Sequence, residues 1–402
     1  MVKKLTFLFL GVILIFSCQP PMDVRNDGAP TDVRGTATIN AGTTQQYIRG
    51  FGGANIIGWV SDLTSDQRTK AFSTSSGIGL SVLRVRVSPN SSDWAANKDT
   101  INAAKSNGAM VIASVWSAPA SMKDNNSTIG GALKTTSYAD YATHLRNFCS
   151  AVGGVSAISP TNEPNISVSY ESMKMTASQV AAFVAAQGSN CGAPIMAPEP
   201  YNMDQSFINS YLSNSTAKSQ TSYVCGHIYG ASPSSYNPGK EVWMTEHYTN
   251  TSSANDWSGA LGVAKEIHNC MNAGYNMYVW WYIRRSYGFI DDSGNITKRG
   301  YAIAHYARYV RPGYNKVSCT ANPTSNVYVT AYKSGSQLVI VAINQNSSAT
   351  SQAFSLSGIS VSGFNSYVTT SSSNLVSGSV SVSGSSFTVS LAGSSITTLV
   401  SK

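Results

Sequence analysis

Charge is scarce in this sequence. Charged residues occupy 11% of the 402 positions, and Asp and Glu together number only 19. With 42% apolar residues the chain can bury a large core, which excludes a disordered polyelectrolyte. The Lys and Arg residues behind the net charge of +8 occur as short pairs (Lys3-Lys4, Arg284-Arg285, Lys298-Arg299), not as a stripe, so nucleic acid is set aside as a partner. A field of that sign would still concentrate an anionic substrate. No CxxC pair and no His/Cys ligand spacing occurs, so no metal site is expected. Gly50-Phe51-Gly52-Gly53 lacks the GxGxxG spacing of a nucleotide loop, and no cofactor is expected. Beyond Cys18 there are Cys149, Cys191, Cys225, Cys270 and Cys319, an odd number that cannot all pair within one chain. Buried thiols, with one or two bridges at most, are the expectation.

The N-terminus reads as a targeting segment. Lys3 and Lys4 precede the apolar run Leu5 to Phe16, which is too short for a comfortable membrane span, and Ser17-Cys18 follow. Ile15-Phe16-Ser17-Cys18 resembles a bacterial lipobox, and ordinary secretory cleavage is the alternative. Residues 1–18 are therefore expected to be a signal peptide and 19–34, rich in Pro and Asp, a tether. The protein should be secreted or lipid-anchored at the bacterial surface or periplasm. It would meet a membrane only through a lipid on Cys18, and a monomer is expected.

Eight β-rich runs alternate with helical stretches between residues 48 and 312. The runs are Phe51 to Ile57, Ser81 to Val87, Met110 to Val115, Val155 to Ser159, Pro194 to Ala197, Tyr223 to Ile228, Glu241 to Thr245 and Met277 to Tyr282. Such alternation predicts an α/β fold with a parallel sheet. Eight repeats over about 265 residues fit a (β/α)8 barrel, with an open doubly wound sheet as the alternative. Residues 313–402 turn to Ser, Thr and Val with period-two alternation, as in Val327 to Tyr332 and Phe387 to Leu391. That pattern predicts an antiparallel β-sandwich side domain. Thr36 to Ile39 and Gln46 to Ile48, within or next to segment 35–47, look like strands that return to complete it.

A barrel of this kind carries its active site at the C-terminal ends of its strands. Two of the few acids stand there: Glu163 in Pro160-Thr161-Asn162-Glu163-Pro164, and Glu246 in Trp243-Met244-Thr245-Glu246-His247. Glycoside hydrolysis needs two carboxyl groups flanking one bond. A lone Glu beside Pro is usually a solvated turn residue; the pair at matching strand ends is a stronger signal. Asn162 would place an amide near a sugar hydroxyl. Trp59, Trp116, Tyr229, Trp280 and Trp281 also lie at strand ends, where aromatic rings can stack on sugars. Alternation sends Trp280 and Trp281 to opposite sides of their strand.

These stretches resemble glycoside hydrolase family 30, in its bacterial glucuronoxylanase branch. Besides the two glutamate motifs, the similarity includes Gly50 to Ala54, the run Trp280 to Tyr287, Lys298-Arg299-Gly300-Tyr301 and Val310 to Tyr314, and it spans nearly everything from residue 36 onward. The resemblance implies a retaining endo-β-1,4-xylanase acting on glucuronoxylan by double displacement, with Glu163 as acid/base and Glu246 as nucleophile. It implies that Arg285 pairs with the glucuronic acid branch, beside Tyr287, with Tyr248 and a hydroxyl from Thr251 or Ser252 as further contacts and Trp281 in the cleft floor. Arg284 or Arg285 could instead be a structural ion-pair residue with Asp291 or Asp292. The alternatives for function are an endoxylanase on undecorated xylan, a relative acting on another β-glycan, or a non-catalytic carbohydrate-binding lipoprotein.

Overall fold

The computed structural model describes residues 35–249 and 253–402. The expected signal peptide, the tether, Cys18, Thr251 and Ser252 lie outside the described residues. The chain begins with β1 (Ala37–Tyr47) and then forms eight parallel strands: β2 (Gly50–Asn55), β3 (Val82–Arg86), β4 (Met110–Ser114), β5 (Ala157–Ser159), β6 (Ile195–Pro198), β7 (Thr221–His227), β8 (Glu241–Glu246) and β9 (Met277–Tyr282). They form a closed barrel, because β2 pairs with both β3 and β9. An open doubly wound sheet would leave two edges, and this ring has none.

Strand alternation explains the two layers of packing. Val82, Ile112, Ala157, Met196, Cys225, Trp243, Met277 and Val279 form one cluster inside the ring. Leu83, Val111, Ile158, Val224, Met244 and Tyr278 belong to the larger core with the surrounding helices. Both faces are covered, which is why these strands read as nearly continuous apolar runs. The helices are α1 (Ser65–Phe72), α2 (Lys98–Ser106), α3 (Tyr138–Ala151), α4 (Ala177–Gln187), α5 (Gln205–Leu212), α6 (Ser215–Gln220), α7 (Trp257–Asn272) and α8 (Lys298–Ala307). Reciprocal capping boxes, Thr64 with Gln67 and Thr176 with Gln179, start α1 and α4. No helix among the described residues is long and apolar enough to cross a membrane.

The side domain adds β10 (Asn315–Cys319), β11 (Val327–Ser334), β12 (Gln337–Asn344), β13 (Thr350–Ser357), β14 (Gly363–Thr369), β15 (Val376–Ser381), β16 (Ser386–Leu391) and β17 (Ser395–Ser401). With β1 they form one nine-stranded sheet in the order β15-β14-β17-β12-β11-β10-β1-β13-β16. The sandwich is thus a single strip folded over. Phe364 of β14 packs on Phe387 of β16 at 5.1 Å between ring centroids, and Phe354 of β13 stacks on Phe387 at 5.0 Å. The pairing is antiparallel except between β1 and β13. The two short N-terminal strands read from the sequence are one strand. Register shifts between Asn40 and Thr44 and between Thr44 and Tyr47 carry it across its polar middle.

The second face of the strip packs on the barrel helices. Val339, Val341, Ile343 and Ile396 join the same core as Ile303, Tyr306 and Val310. His305 of α8 lies between the hydroxyls of Thr398 and Thr369, each at 2.8 Å. The Trp257 indole N–H donates to the Ser394 carbonyl at 2.8 Å. Cys149, Cys191, Cys225, Cys270 and Cys319 are all free thiols.

Candidate active site

Val82, Arg84 and Arg86 share one parity on β3, so an inward apolar residue is followed by two inward guanidinium groups. Arg84 is completely buried. It donates through Nη1 to Glu246 Oε2, through Nη2 to Asn162 Oδ1 at 2.6 Å and to Glu199 Oε1 at 3.1 Å, and through Nε to Ser114 Oγ at 3.1 Å. Its face lies 4.7 Å from the Trp116 ring centroid. Arg84 therefore ties four strand ends together.

Glu246 is the last residue of β8, and its other oxygen, Oε1, accepts a hydrogen bond from the Tyr229 hydroxyl. Tyr229, expected as a stacking ring, is thus a donor to the carboxylate; it also stacks on Tyr201 at 5.7 Å. Burial, and then the negative charge of Glu246, pushes its hydroxyl well above the ordinary tyrosine range. Glu163 follows β5 with φ 47°, a left-handed conformation that costs energy for a residue with a side chain. Its N–H donates to the Glu199 carbonyl at 2.9 Å, and its Oε1 lies 2.7 Å from His227 Nδ1. Asn162 meets Arg84 through Oδ1, which leaves its Nδ2 for a ligand.

His227, at the end of β7, is fully buried among three carboxylates. Burial alone would lower its pKa, but Glu246, Glu163 and Glu199 outweigh that and raise it to about 9, so the ring is an imidazolium at neutral pH. The ligand-type atoms of Glu163, His227 and Glu246 lie within 4.8 Å of one another. Arg84 and the imidazolium already place positive charge among them, which disfavours a metal cation there.

The two glutamates open into a cleft of about 820 Å³ lined by Trp59, Trp116, Trp281, Tyr282, Tyr248, Tyr287 and Arg285. Trp59 meets Trp116 at 5.3 Å and Trp281 at 6.2 Å. Tyr248 stacks on Tyr287 at 4.8 Å with 20° between the planes. Trp280 turns away, is fully buried and packs on Phe289. Arg285 is exposed, with its guanidinium 5.2 Å from the Tyr282 ring centroid. Arg284 instead donates to the Ser61 carbonyl at 2.9 Å, and Asp291 accepts the Asn295 N–H at 2.8 Å. Among the described residues, neither Asp291 nor Asp292 bridges Arg285.

Sequence reasoning missed Arg84, Glu199, His227 and the wall formed by Ile166, Val168 and Tyr170. Tyr170, 49% exposed, faces Trp59 edge-on at 6.3 Å. Its neighbour Glu171 forms a two-pronged ion pair with Arg86, and the buried Lys123 donates to the Ser172 carbonyl at 2.7 Å. The legible signal was Arg84 and Arg86 alternating with Leu83 and Val85. Nothing in the pattern alone marked Glu199.

A closed (β/α)8 barrel whose C-terminal rim sets two carboxylates face to face in an aromatic cleft defines a glycoside hydrolase. No protein-family model matches the chain. Glucuronoxylanase XynC of Bacillus subtilis (strain 168) is 37% identical over 413 residues, covering 97% of each protein. The glycoside hydrolase family 30 subfamily 8 xylanase of Clostridium acetobutylicum superposes with TM-score 0.86 at 32% identity, over 91% of this chain and 99% of that one. A GH30 endoxylanase of Clostridium papyrosolvens gives 0.83 at 32% identity, over 91% of this chain and 100% of that one. The chain belongs to glycoside hydrolase family 30.

Proposed function

We propose that the protein is a retaining endo-β-1,4-xylanase that selects xylan carrying glucuronic acid branches. The observation that carries the mechanism is the short gap between Glu163 and Glu246, whose nearest oxygens lie within 4.8 Å. Retaining enzymes hold their carboxyl groups about 5–5.5 Å apart, whereas inverting ones need roughly 6.5–9.5 Å to admit a water. Glu163 passes its proton to the leaving oxygen as Glu246 bonds the anomeric carbon. A water then attacks the glycosyl ester and gives its proton to Glu163, and Glu246 is released. Tyr229 and Arg84 hold both Glu246 oxygens in place for attack.

Selection of the branch is assigned to Arg285. It faces the cleft beside Tyr287 and Tyr248, and its planar fork can grip a carboxylate through two parallel hydrogen bonds, as lysine cannot. Charge-assisted hydrogen bonds contribute about 1.5–3 kcal/mol, or roughly 10- to 100-fold in kcat/KM. Arg285→Ala should lose that factor on glucuronoxylan and keep its rate on unbranched xylan. Equal wild-type rates on both polymers would contradict the assignment and leave an endoxylanase indifferent to branching. We further propose that the enzyme works outside the cytoplasm, anchored by a lipid on Cys18, with simple secretion as the alternative. Metabolic labelling with palmitate, lost in Cys18→Ala, is the expected result; a mature N-terminus beyond Cys18 contradicts it.

A further inference from the structure

Beneath the catalytic pair lies a third carboxylate that the mechanism above does not use. Glu199 follows β6 between Pro198 and Pro200, is completely buried and adopts φ 58°. Its N–H donates to the Cys225 carbonyl at 3.1 Å, and its own carbonyl accepts the Glu163 N–H. On the side-chain side, Oε1 gathers Thr245 Oγ1 at 2.7 Å, Ser114 Oγ at 3.1 Å, Arg84 Nη2 at 3.1 Å and His227 Nε2 at 3.5 Å. The two cations in that set are the same two that touch the reacting groups: Arg84 holds Glu246, and His227 holds Glu163. Glu246 itself also comes within 3.9 Å of His227 Nε2; outside the reacting pair, Glu199 alone among the described side chains contacts both cations.

We propose that Glu199 is a positioning residue whose permanent negative charge balances Arg84 and His227 through both half-reactions of the double displacement. The inference rests on the retaining reading above. Before the first step Glu163 carries its proton. Glu199 and Glu246 are then the two anions, against the two cations Arg84 and His227. Glu163 gives its proton to the leaving oxygen, the glycosidic C–O bond breaks, and Glu246 becomes a neutral ester. Glu163 and Glu199 are now the two anions against the same two cations. The second step reverses the exchange, as water adds its oxygen to the anomeric carbon and its proton to Glu163. The cluster is neutral in both resting states only if Glu199 stays ionised. Among side chains this buried an unbalanced charge is costly, so the constant counter-charge fits the cycle.

The surrounding groups agree with that division. Burial works against ionised Glu199, yet Arg84 and His227 together hold its pKa down to about 2. The other titratable neighbours are the Cys225 thiol and the Tyr229 hydroxyl. Burial first, and then a neighbouring carboxylate, pushes each well above its ordinary range, so both stay neutral.

The test is Glu199→Gln in the full enzyme, assayed on glucuronoxylan across pH. Uncompensated positive charge beside Glu163 favours its ionised form, so the alkaline limb of kcat should move down by about one pH unit or more. At neutral pH kcat should fall about 10- to 100-fold with KM little changed. Glu199→Asp keeps the charge and should restore the position of the limb. A Glu199→Gln profile superimposable on wild type would overturn the proposal. Should that variant not fold, nitrogen NMR of the wild-type histidines decides: His227 doubly protonated at pH 7 supports the balance, and a neutral His227 overturns it. Inverted products, or full activity in Glu246→Gln, would remove the retaining reading instead, and neither outcome depends on Glu199.

Discussion

His227 at the barrel rim and His305 under the side domain are both completely buried, and the protein keeps them in opposite states. His227 lies against three carboxylates and is raised to about 9. His305 has two threonine hydroxyls as side-chain partners, and burial lowers it to about 3. Burial alone favours the neutral ring, so charge persists in the interior only where opposite charge is built around it. The rim does this for His227 with Glu163, Glu199 and Glu246. The side domain fills its interior with neutral polar groups such as Asn344, Gln352, Thr397 and Thr398, with Lys316 as the exception. One region gathers paired charge around the two glutamates proposed as catalytic, and the other packs neutral polar groups against the barrel.

The largest expected break in this contrast is chemical. Glu246→Gln should lower kcat on the order of 10⁴-fold or more while the protein remains folded by circular dichroism. A loss below tenfold would mean that another group attacks the sugar. Next comes the division of labour between the regions. Residues 48–312 expressed alone would expose Ile303, Tyr306 and Val310 and leave His305 without Thr369 and Thr398, so an insoluble or non-cooperative product is expected. A soluble, fully active fragment would show that the adhesion is dispensable.

The smallest effect separates the two histidines by pH. An unfolded histidine titrates near 6.5. His305 is lowered in the fold, so only the unfolded chain takes its proton between about 6.5 and 3, and stability falls as pH drops through that window. His227 is raised, so its contribution is full below about 6.5 and is lost as pH rises towards 9. Calorimetry from pH 4 to 9 should show a flatter acid side in His305→Gln and a flatter alkaline side in His227→Gln. Unchanged slopes in both would contradict the assigned states.

Much of this contrast can be read from the chain before folding, but unevenly. The barrel strands are legible because parallel strands buried on both faces are apolar throughout, and Glu163 and Glu246 stand out because acids are scarce and these two end such runs. Strands β13, β14 and β17 are harder to see, since serine and threonine occupy faces that pack only once the strip has folded over. The support beneath the proposed catalytic pair is hidden for another reason. Arg84, Glu199 and His227 lie on or just after three strands and are up to 143 residues apart (227 − 84 = 143), and only ring closure turns each isolated charge into a partner of the others. The Tyr170 wall lies on a loop fixed by Arg86–Glu171 and Lys123–Ser172, contacts that no periodicity encodes.

A double displacement by two facing carboxylates keeps the configuration at the anomeric carbon. Proton NMR of the first xylan fragments released, recorded before mutarotation, tests it directly. New reducing ends that appear first in the β configuration are the predicted result, and α-configured ends appearing first would contradict the account.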